Sequence, residues 1–179
     1  MIWESKYWRD DLHRRAQALR NKQKQHRWFD ASFGRLEQTI MLAFYSIRKL
    51  AEAKKIPDSQ FQQSVELLFY SAIGKPVTLL NWHNLDELYK VQEPSGLVKP
   101  LSFVANQIIH SFVFVPILTP SRTLDGIAFN SDKTRQSGVF CIKIDEIIRI
   151  LNSVSGSYVG KATIFRSTES GQLKIVTEE

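Results

Sequence analysis

The chain of 179 residues contains a single cysteine, Cys141, so it cannot form an internal disulfide. Because disulfides accumulate in proteins of oxidising compartments, we expect a protein suited to a reducing one. Long hydrophobic runs are also missing. The most apolar stretch, residues 108–118, is interrupted by His110, Ser111 and Pro116, and it is far shorter than the roughly 20 residues of a membrane-spanning helix. With no secretory signal pattern in view, the sequence predicts a cytoplasmic protein that does not attach to membranes.

Several motifs of cofactor and metal chemistry are missing as well. The chain has no G-x-G-x-x-G, no P-loop and no G-x-S-x-G segment. The four histidines, His13, His26, His83 and His110, do not pair at the spacing of metal ligands, and one cysteine cannot build a thiolate zinc site. We therefore predict no cofactor and no bound metal.

The composition is that of a globular domain. Hydrophobic residues make up 43% of the chain, and 11 Phe, 4 Trp and 5 Tyr supply an aromatic core. The length suits one domain spanning residues 1–179, mainly helical over 1–111 and β-rich with one helix over 112–179. Helices that precede strands, rather than alternating with them, predict an α+β fold with a mostly antiparallel sheet.

Most of the excess charge lies on the first predicted helix. Residues 1–27 carry eight basic and three acidic side chains, which account for five of the six net positive charges. Apolar residues between Trp3 and Leu19 recur at three- and four-residue spacing, which places the basic residues on the other face. That face is either a solvated helix surface or a ridge that contacts phosphates or an acidic protein. The residues that we predict to contact nucleic acid are Arg9, Arg14, Arg15, Arg20, Lys22, Lys24 and Arg27.

Two more helices are predicted before residue 74. The first has apolar residues at helical spacing over 33–51, and Asp30 or Ser32 could cap its start. The second runs from Ser59 to a stop signal at Gly74. Because the link between them is short, we expect the two helices to pack antiparallel as neighbours.

The second half of the chain has a different character. Residues 92–100 are predicted to be a loop, and Pro100 begins a further helix. Asp145 is predicted to cap a helix, and Ser170-Gly171 to form a hairpin turn. The predicted strands are residues 112–118, 124–130, 138–144, 161–166 and 172–177.

Asn106 and His110 carry the most specific chemical signal. They lie four residues apart near the end of a predicted helix, which puts their side chains on one face with Cβ atoms about 6 Å apart. A histidine beside an amide can act as an oriented general base. We therefore predict Asn106 and His110 as candidate catalytic residues.

The segment from Ala105 to Ser111 resembles the signature of the HEPN family of helical-bundle proteins. That signature is an arginine, a polar residue that is often asparagine, three further residues and a histidine; here Asn106 and His110 match, and Ala105 holds the arginine position. The resemblance implies an N-terminal antiparallel helical bundle with a C-terminal β elaboration. It also implies an RNase that acts as a homodimer with its cleft between protomers. Because Ala105 supplies no cation for the transition state, we expect weak cleavage or none.

Three functional hypotheses follow. The first is a domain that interacts with RNA or nucleotides through the basic helix and the Asn106–His110 pair. The second is a non-enzymatic module, a neutraliser or adaptor, that binds another protein through exposed tryptophans and arginines such as Trp3 and Trp8. The third is an enzyme acting on a small molecule with His83 or His110 as its base.

Overall fold

In the computed structural model, which describes residues 2–166 and 173–178, long helices come first and most strands follow. The helices are α1 (Lys6–Gln23), α2 (Asp30–Glu52), α3 (Asp58–Phe61), α4 (Leu85–Leu88), α5 (Leu101–Ile109) and α6 (Ile144–Gly156). The strands are β1 (Ser64–Ser71), β2 (Ser95–Pro100), β3 (Ser111–Leu118), β4 (Leu124–Ser131), β5 (Gly138–Lys143), β6 (Lys161–Arg166) and β7 (Leu173–Glu178). The α+β class and the antiparallel pairing are therefore confirmed.

Five strands form one antiparallel sheet in the order β2-β1-β5-β4-β3. Side chains alternate between its two faces, as the pleat requires. Inward-facing residues such as Leu67, Phe129 and Ile142 pack on α1, α2, α5 and α6, and together they form the main core. Helices α1, α5 and α6 thus pack on one face of the sheet, and α2 packs on α1 and α5.

Helices α1 and α2 lie antiparallel. The Arg9 guanidinium donates to the carbonyl of Lys55, just beyond the end of α2, whereas Arg15 lies 3.5 Å from the carbonyl of Thr39, nearer its start. Both helices formed where the apolar spacing predicted them. The predicted caps did not form: the residue before α2 is Phe29, and it makes no side-chain hydrogen bond to the helix.

The predicted third helix was wrong. Residues 64–71 form the strand β1, which has β2 on one side and β5 on the other. An internal strand of this sheet packs side chains on both faces, because helices cover one face and the residues after β1 cover part of the other. Apolar residues at both odd and even positions then imitate helical spacing. Only α3, four residues long, remains of the expected helix.

The predicted loop at 92–100 was also wrong in part, because Ser95–Pro100 forms the edge strand β2 opposite β1. The residues up to 111 are consequently less helical than expected. A HEPN-like bundle is not confirmed, since the long helices pack on a sheet rather than only on one another.

The outer face of the sheet is partly covered by residues 72–94. Ala72 pairs with Tyr89 in an isolated bridge, and Ile73 donates to the Leu88 carbonyl at 3.0 Å. Val77, Leu88 and Tyr89 pack on outward-facing strand residues in a second, smaller core. This segment is therefore anchored by hydrogen bonds and by apolar packing.

Strands β6 and β7 form a separate two-stranded antiparallel sheet, as predicted. Thr177 anchors it: its hydroxyl donates to the Ile56 carbonyl at 3.1 Å and its amide to Asp58 Oδ2 at 3.2 Å. The predicted turn at Ser170-Gly171 lies outside the described residues. Among residues 2–166 and 173–178, no helix has both the length and the apolar character needed to span a membrane.

Candidate functional site: a cleft around His110

His110 and Asn106 line one cleft of about 520 Å³. His110 follows the last turn of α5, and both side chains are exposed. The other walls come from α2 and from the turn between β4 and β5. We call this the His110 cleft; its residues are Arg48, Asn106, Gln107, His110, Ser131, Asp132 and Lys133.

Arg48 supplies the cleft with a cation next to the imidazole. Its Nη1 atom lies 3.3 Å from Nε2 of His110. A guanidinium has only donors, so this contact is a hydrogen bond when Nε2 is unprotonated. As a hydrogen bond, the contact requires the His110 tautomer that carries its ring proton on Nδ1.

Glu52 holds Arg48 from the other side. Arg48 Nε donates to Glu52 Oε1 at 2.7 Å, and Lys49 Nζ donates to Glu52 Oε2 at 2.8 Å. The hydrogen bond from Lys49, followed by that from Arg48, lowers the pKa of Glu52 below its usual value. The same contact with Glu52 raises the pKa of Lys49. Glu52 therefore orients the Arg48 side chain.

Gln107 fixes the opposite wall of the cleft. Its Oε1 atom accepts hydrogen bonds from the Ser131 amide at 3.0 Å and from the Thr134 hydroxyl at 2.8 Å. Gln107 is buried, so these bonds are shielded from water. They tie the turn that carries Asp132 and Lys133 to α5, next to Asn106 and His110.

The turn is also pinned from the outer side of the sheet. Asn130, fully buried, donates to the Tyr89 hydroxyl at 2.9 Å, and that hydroxyl donates to the Arg135 carbonyl at 3.1 Å. The guanidinium of Arg135 lies 3.8 Å from the centre of the Phe112 ring and 3.3 Å from Asp132. Lys133 is exposed on this anchored turn and lines the cleft.

Ala105 is fully buried in the main core. A guanidinium at that position would be enclosed by apolar side chains, which is energetically costly. In this fold Arg48, on α2, supplies the cation near His110. Sequence reasoning missed Arg48 because the residue is distant along the chain and lies in an ordinary helical repeat.

The basic residues predicted to contact nucleic acid lie in different environments in the structure. Arg9 is only 6% exposed, donates to Ser5 Oγ at 2.8 Å and lies 4.3 Å from the centre of the Tyr158 ring. It is therefore not available at the surface. Arg14 and Arg15 both pair with Asp11, at 3.4 and 2.5 Å.

The remaining four lie towards the end of α1 or just after it. Lys22 is half-buried and donates to Gln25 Oε1 at 2.8 Å. Arg20, Lys24 and Arg27 are exposed, and no ion pair to them is found among the described residues. Because α1 runs antiparallel to α2, these cations lie near the start of α2. Arg48 is 18 residues after Asp30, about 27 Å along a helix, so the structure does not bring them to the His110 cleft.

His83 lies in a different place, in the segment that covers the outer face of the sheet. It is exposed and lines a depression with Asp86, Glu87 and residues 115–118. Within the described ranges, no hydrogen bond joins its ring to a carboxylate. The Trp82 ring contacts it edge-on at 5.6 Å. His83 and His110 therefore belong to separate sites.

No group of three or more His, Cys, Asp or Glu side chains suited to a metal ion occurs in the part of the chain that the structure describes. Comparison with protein-family models, with curated proteins and with solved structures found no match for this chain. The functional argument therefore depends on the geometry of the site.

Proposed function

We propose that the His110 cleft binds a phosphate group of RNA or of a nucleotide. The observation that carries the proposal is the placement of the Arg48 guanidinium beside His110. A guanidinium presents a planar fork of donors that matches the oxygens of a phosphate, and His110 and Asn106 add hydrogen-bonding groups at the same cleft. An exposed imidazole near a helix end is reachable by such a ligand.

The charges around the cleft favour an anion. Among the side chains that line it, the two cations Arg48 and Lys133 outnumber the one acid, Asp132. Lys133, on the turn between β4 and β5, adds an exposed cation to the half-buried Arg48. A phosphate between them would contact both while Glu52 keeps the Arg48 side chain oriented.

Cleavage is expected to be weak or absent. A general base must offer a free lone pair to the proton it removes, and Nε2 of His110 already faces the Arg48 guanidinium at 3.3 Å. The imidazole can act only after a bound ligand displaces that contact. We therefore propose binding as the main activity.

The proposal keeps two positions of the HEPN signature and replaces the third. His110 and Asn106 hold the histidine and the polar position of the signature. Arg48, from another helix, would supply the cation that the signature's arginine supplies. The homodimer that the resemblance implies remains a prediction. Sedimentation equilibrium at several concentrations, with and without RNA, tests it directly.

A salt titration tests the main proposal. Binding of a fluorescein-labelled single-stranded RNA is followed by anisotropy over a series of salt concentrations. We expect the logarithm of the binding constant to fall linearly with the logarithm of salt, because phosphate contacts release counterions. Absence of binding at low salt, or binding that does not change with salt, contradicts the proposal.

A second candidate function, a protein-binding module, is favoured by one observation. Trp3, just before α1, is 99% exposed, and Tyr7, in the first turn of α1, is 72% exposed. Exposed aromatic residues are enriched at protein interfaces. The half-buried Trp8 contributes less. Loss of a partner in a Trp3→Ser, Tyr7→Ser variant that still binds RNA would favour this alternative.

A further inference from the structure

A second cleft, of about 320 Å³, lies between the outer face of the sheet and residues 85–92. We call it the sheet-face cleft. Its volume is at the lower end of that of small-molecule sites, and its floor is apolar. The floor comes from outward-facing strand residues Leu68, Ile117, Ala128, Val139 and Cys141.

The opposing wall of this cleft is held firmly. Leu85 and Val91 face the sheet from this wall. Between them, Tyr89 is almost fully buried and accepts a hydrogen bond from Asn130, while the Lys90 amide donates to the Ser71 carbonyl at 2.9 Å. A preformed cleft of this kind binds a ligand without first having to order its walls.

The polar groups of the cleft favour a cation. Asp86 is exposed and lines the cleft, and no ion pair to it is found among the described residues. Asp125 also lines it, but its carboxylate already accepts from Lys143 Nζ at 2.7 and 3.0 Å. The three charged side chains leave one net negative charge. Tyr70 adds a hydroxyl, and burial raises its pKa above the usual value.

We propose that the sheet-face cleft binds a small amphiphilic amine. Its apolar body lies on Leu68, Val139 and Cys141, and its ammonium faces Asp86 at the rim. The His110 cleft has an excess of cations and therefore favours an anionic ligand. The two sites therefore select ligands of opposite charge, and the proposal does not depend on RNA binding.

Cys141 gives a direct reporter for this site. It is the one cysteine of the chain, and it lines the cleft. Burial raises the pKa of the Cys141 thiol to about 11, so little reactive thiolate forms near neutrality. We therefore propose to follow its alkylation by iodoacetamide over hours at about pH 9 on the intact protein, by mass spectrometry, with increasing tryptamine. Indole-3-propionate, a similar indole with a carboxylate in place of the ammonium, is the matched ligand control.

We expect tryptamine to slow the alkylation in a saturable manner, and indole-3-propionate at equal concentration to leave the rate unchanged. Asp86→Asn should weaken the protection about two- to fivefold, as expected for loss of one exposed charge contact. Asp132→Asn, at the His110 cleft, is the control variant and should keep full protection. Equal protection by both indoles, no protection by tryptamine, or an unchanged Asp86→Asn variant overturns the proposal.

A second readout separates ligand binding from a general stabilisation of the fold. Tryptamine should shift the amide resonances of residues 85–92 and of β5 in ¹H–¹⁵N spectra, and should leave those of α5 unchanged. Shifts centred on Asn106 and His110 instead would place the amine at the other cleft and overturn the assignment.

Discussion

The Nη1 atom of Arg48 lies 3.3 Å from Nε2 of His110, although 62 positions separate the two residues in the chain. Arg48 comes from the last third of α2 and His110 from the end of α5, two helices that pack side by side. Both side chains open to the same cleft. The cation and the imidazole are thus brought together by helix packing and not by a local motif.

Arg48→Gln is expected to weaken RNA binding and to make it less sensitive to salt. Each phosphate contact that is lost from a single strand reduces the slope of log K against log salt by about 0.7. Glutamine keeps much of the apolar side chain and so preserves the packing of α2. The measurement is the anisotropy titration at four or more salt concentrations.

Arg14→Gln is the matched control. Arg14 is an exposed arginine of α1 that pairs with Asp11 and does not line the cleft. For this variant, we expect the slope of log K against log salt to equal that of the unsubstituted protein. If Arg14→Gln loses slope and Arg48→Gln does not, the RNA lies along α1 and the His110 cleft is not its site.

Glu52 provides a test that uses pH. Its pKa is lowered from 4.5, first by the hydrogen bond from Lys49. A carboxyl whose folded pKa is depressed stabilises the fold above its unfolded pKa, and this stabilisation is lost as pH falls through the folded value. The difference in unfolding free energy between the native chain and Glu52→Gln should therefore be constant near neutrality and shrink below pH 4.5.

The cause of that shift can be checked separately. In Lys49→Gln, the pKa of Glu52, followed by NMR of its side-chain carboxyl, should move back towards 4.5 because the largest contribution is removed. An unchanged pKa would show that Lys49 does not hold the carboxylate in solution. The hydrogen bond from Arg48 would then be the main cause of the lowered pKa.

Gln107→Ala should destabilise the protein by about 1–3 kcal/mol, because the Ser131 amide and the Thr134 hydroxyl both lose the Gln107 oxygen as acceptor, and the amide keeps only Thr134 Oγ1. RNA affinity should fall as well, since the turn that carries Lys133 is released from α5. Gln17→Ala, at an exposed position of α1, is the control and should change neither property. Urea unfolding and the RNA titration measure both effects. Unchanged stability with reduced affinity would mean that Gln107 contacts the ligand itself.

The sequence predicted those elements whose burial pattern is simple. Helix α2 buries one stripe, including Leu36, Ile40 and Ile47, and its period is unambiguous. Strand β1 buries Val65 and Leu67 on the helix side and half-buries Leu68 and Tyr70 on the other. Its periodicity is therefore lost, and a local pattern cannot identify it as a strand.

The candidate site was predictable only in part. Asn106 and His110 share a helix face, so their spacing was enough to place them together. Arg48 and Lys133 reach the cleft through long-range packing, which no local spacing encodes. Arg9 illustrates the opposite error: its charge suggested a surface role, but Tyr158 and the carbonyl of Lys55 hold it inside.

Two glycines give a matched test of the sheet that supports the cleft. A Cβ atom at Gly126, in β4, would lie 2.6 Å from the backbone oxygen of Ile142 in the neighbouring strand. Backbone atoms of a central strand cannot yield easily, so Gly126→Ala should destabilise the protein by about 1–3 kcal/mol. Urea unfolding measures this loss.

Gly34 provides the comparison, because it is exposed within α2 and a Cβ there meets no atom within 4 Å. Alanine loses less conformational freedom than glycine on entering a helix, so Gly34→Ala should stabilise the protein by roughly 0.5–1 kcal/mol. The same substitution is thus expected to have opposite signs at the two positions. Stabilisation by both would mean that β4 and β5 are more widely spaced at Gly126 than the pairing requires, and destabilisation by both would place Gly34 outside a regular helix.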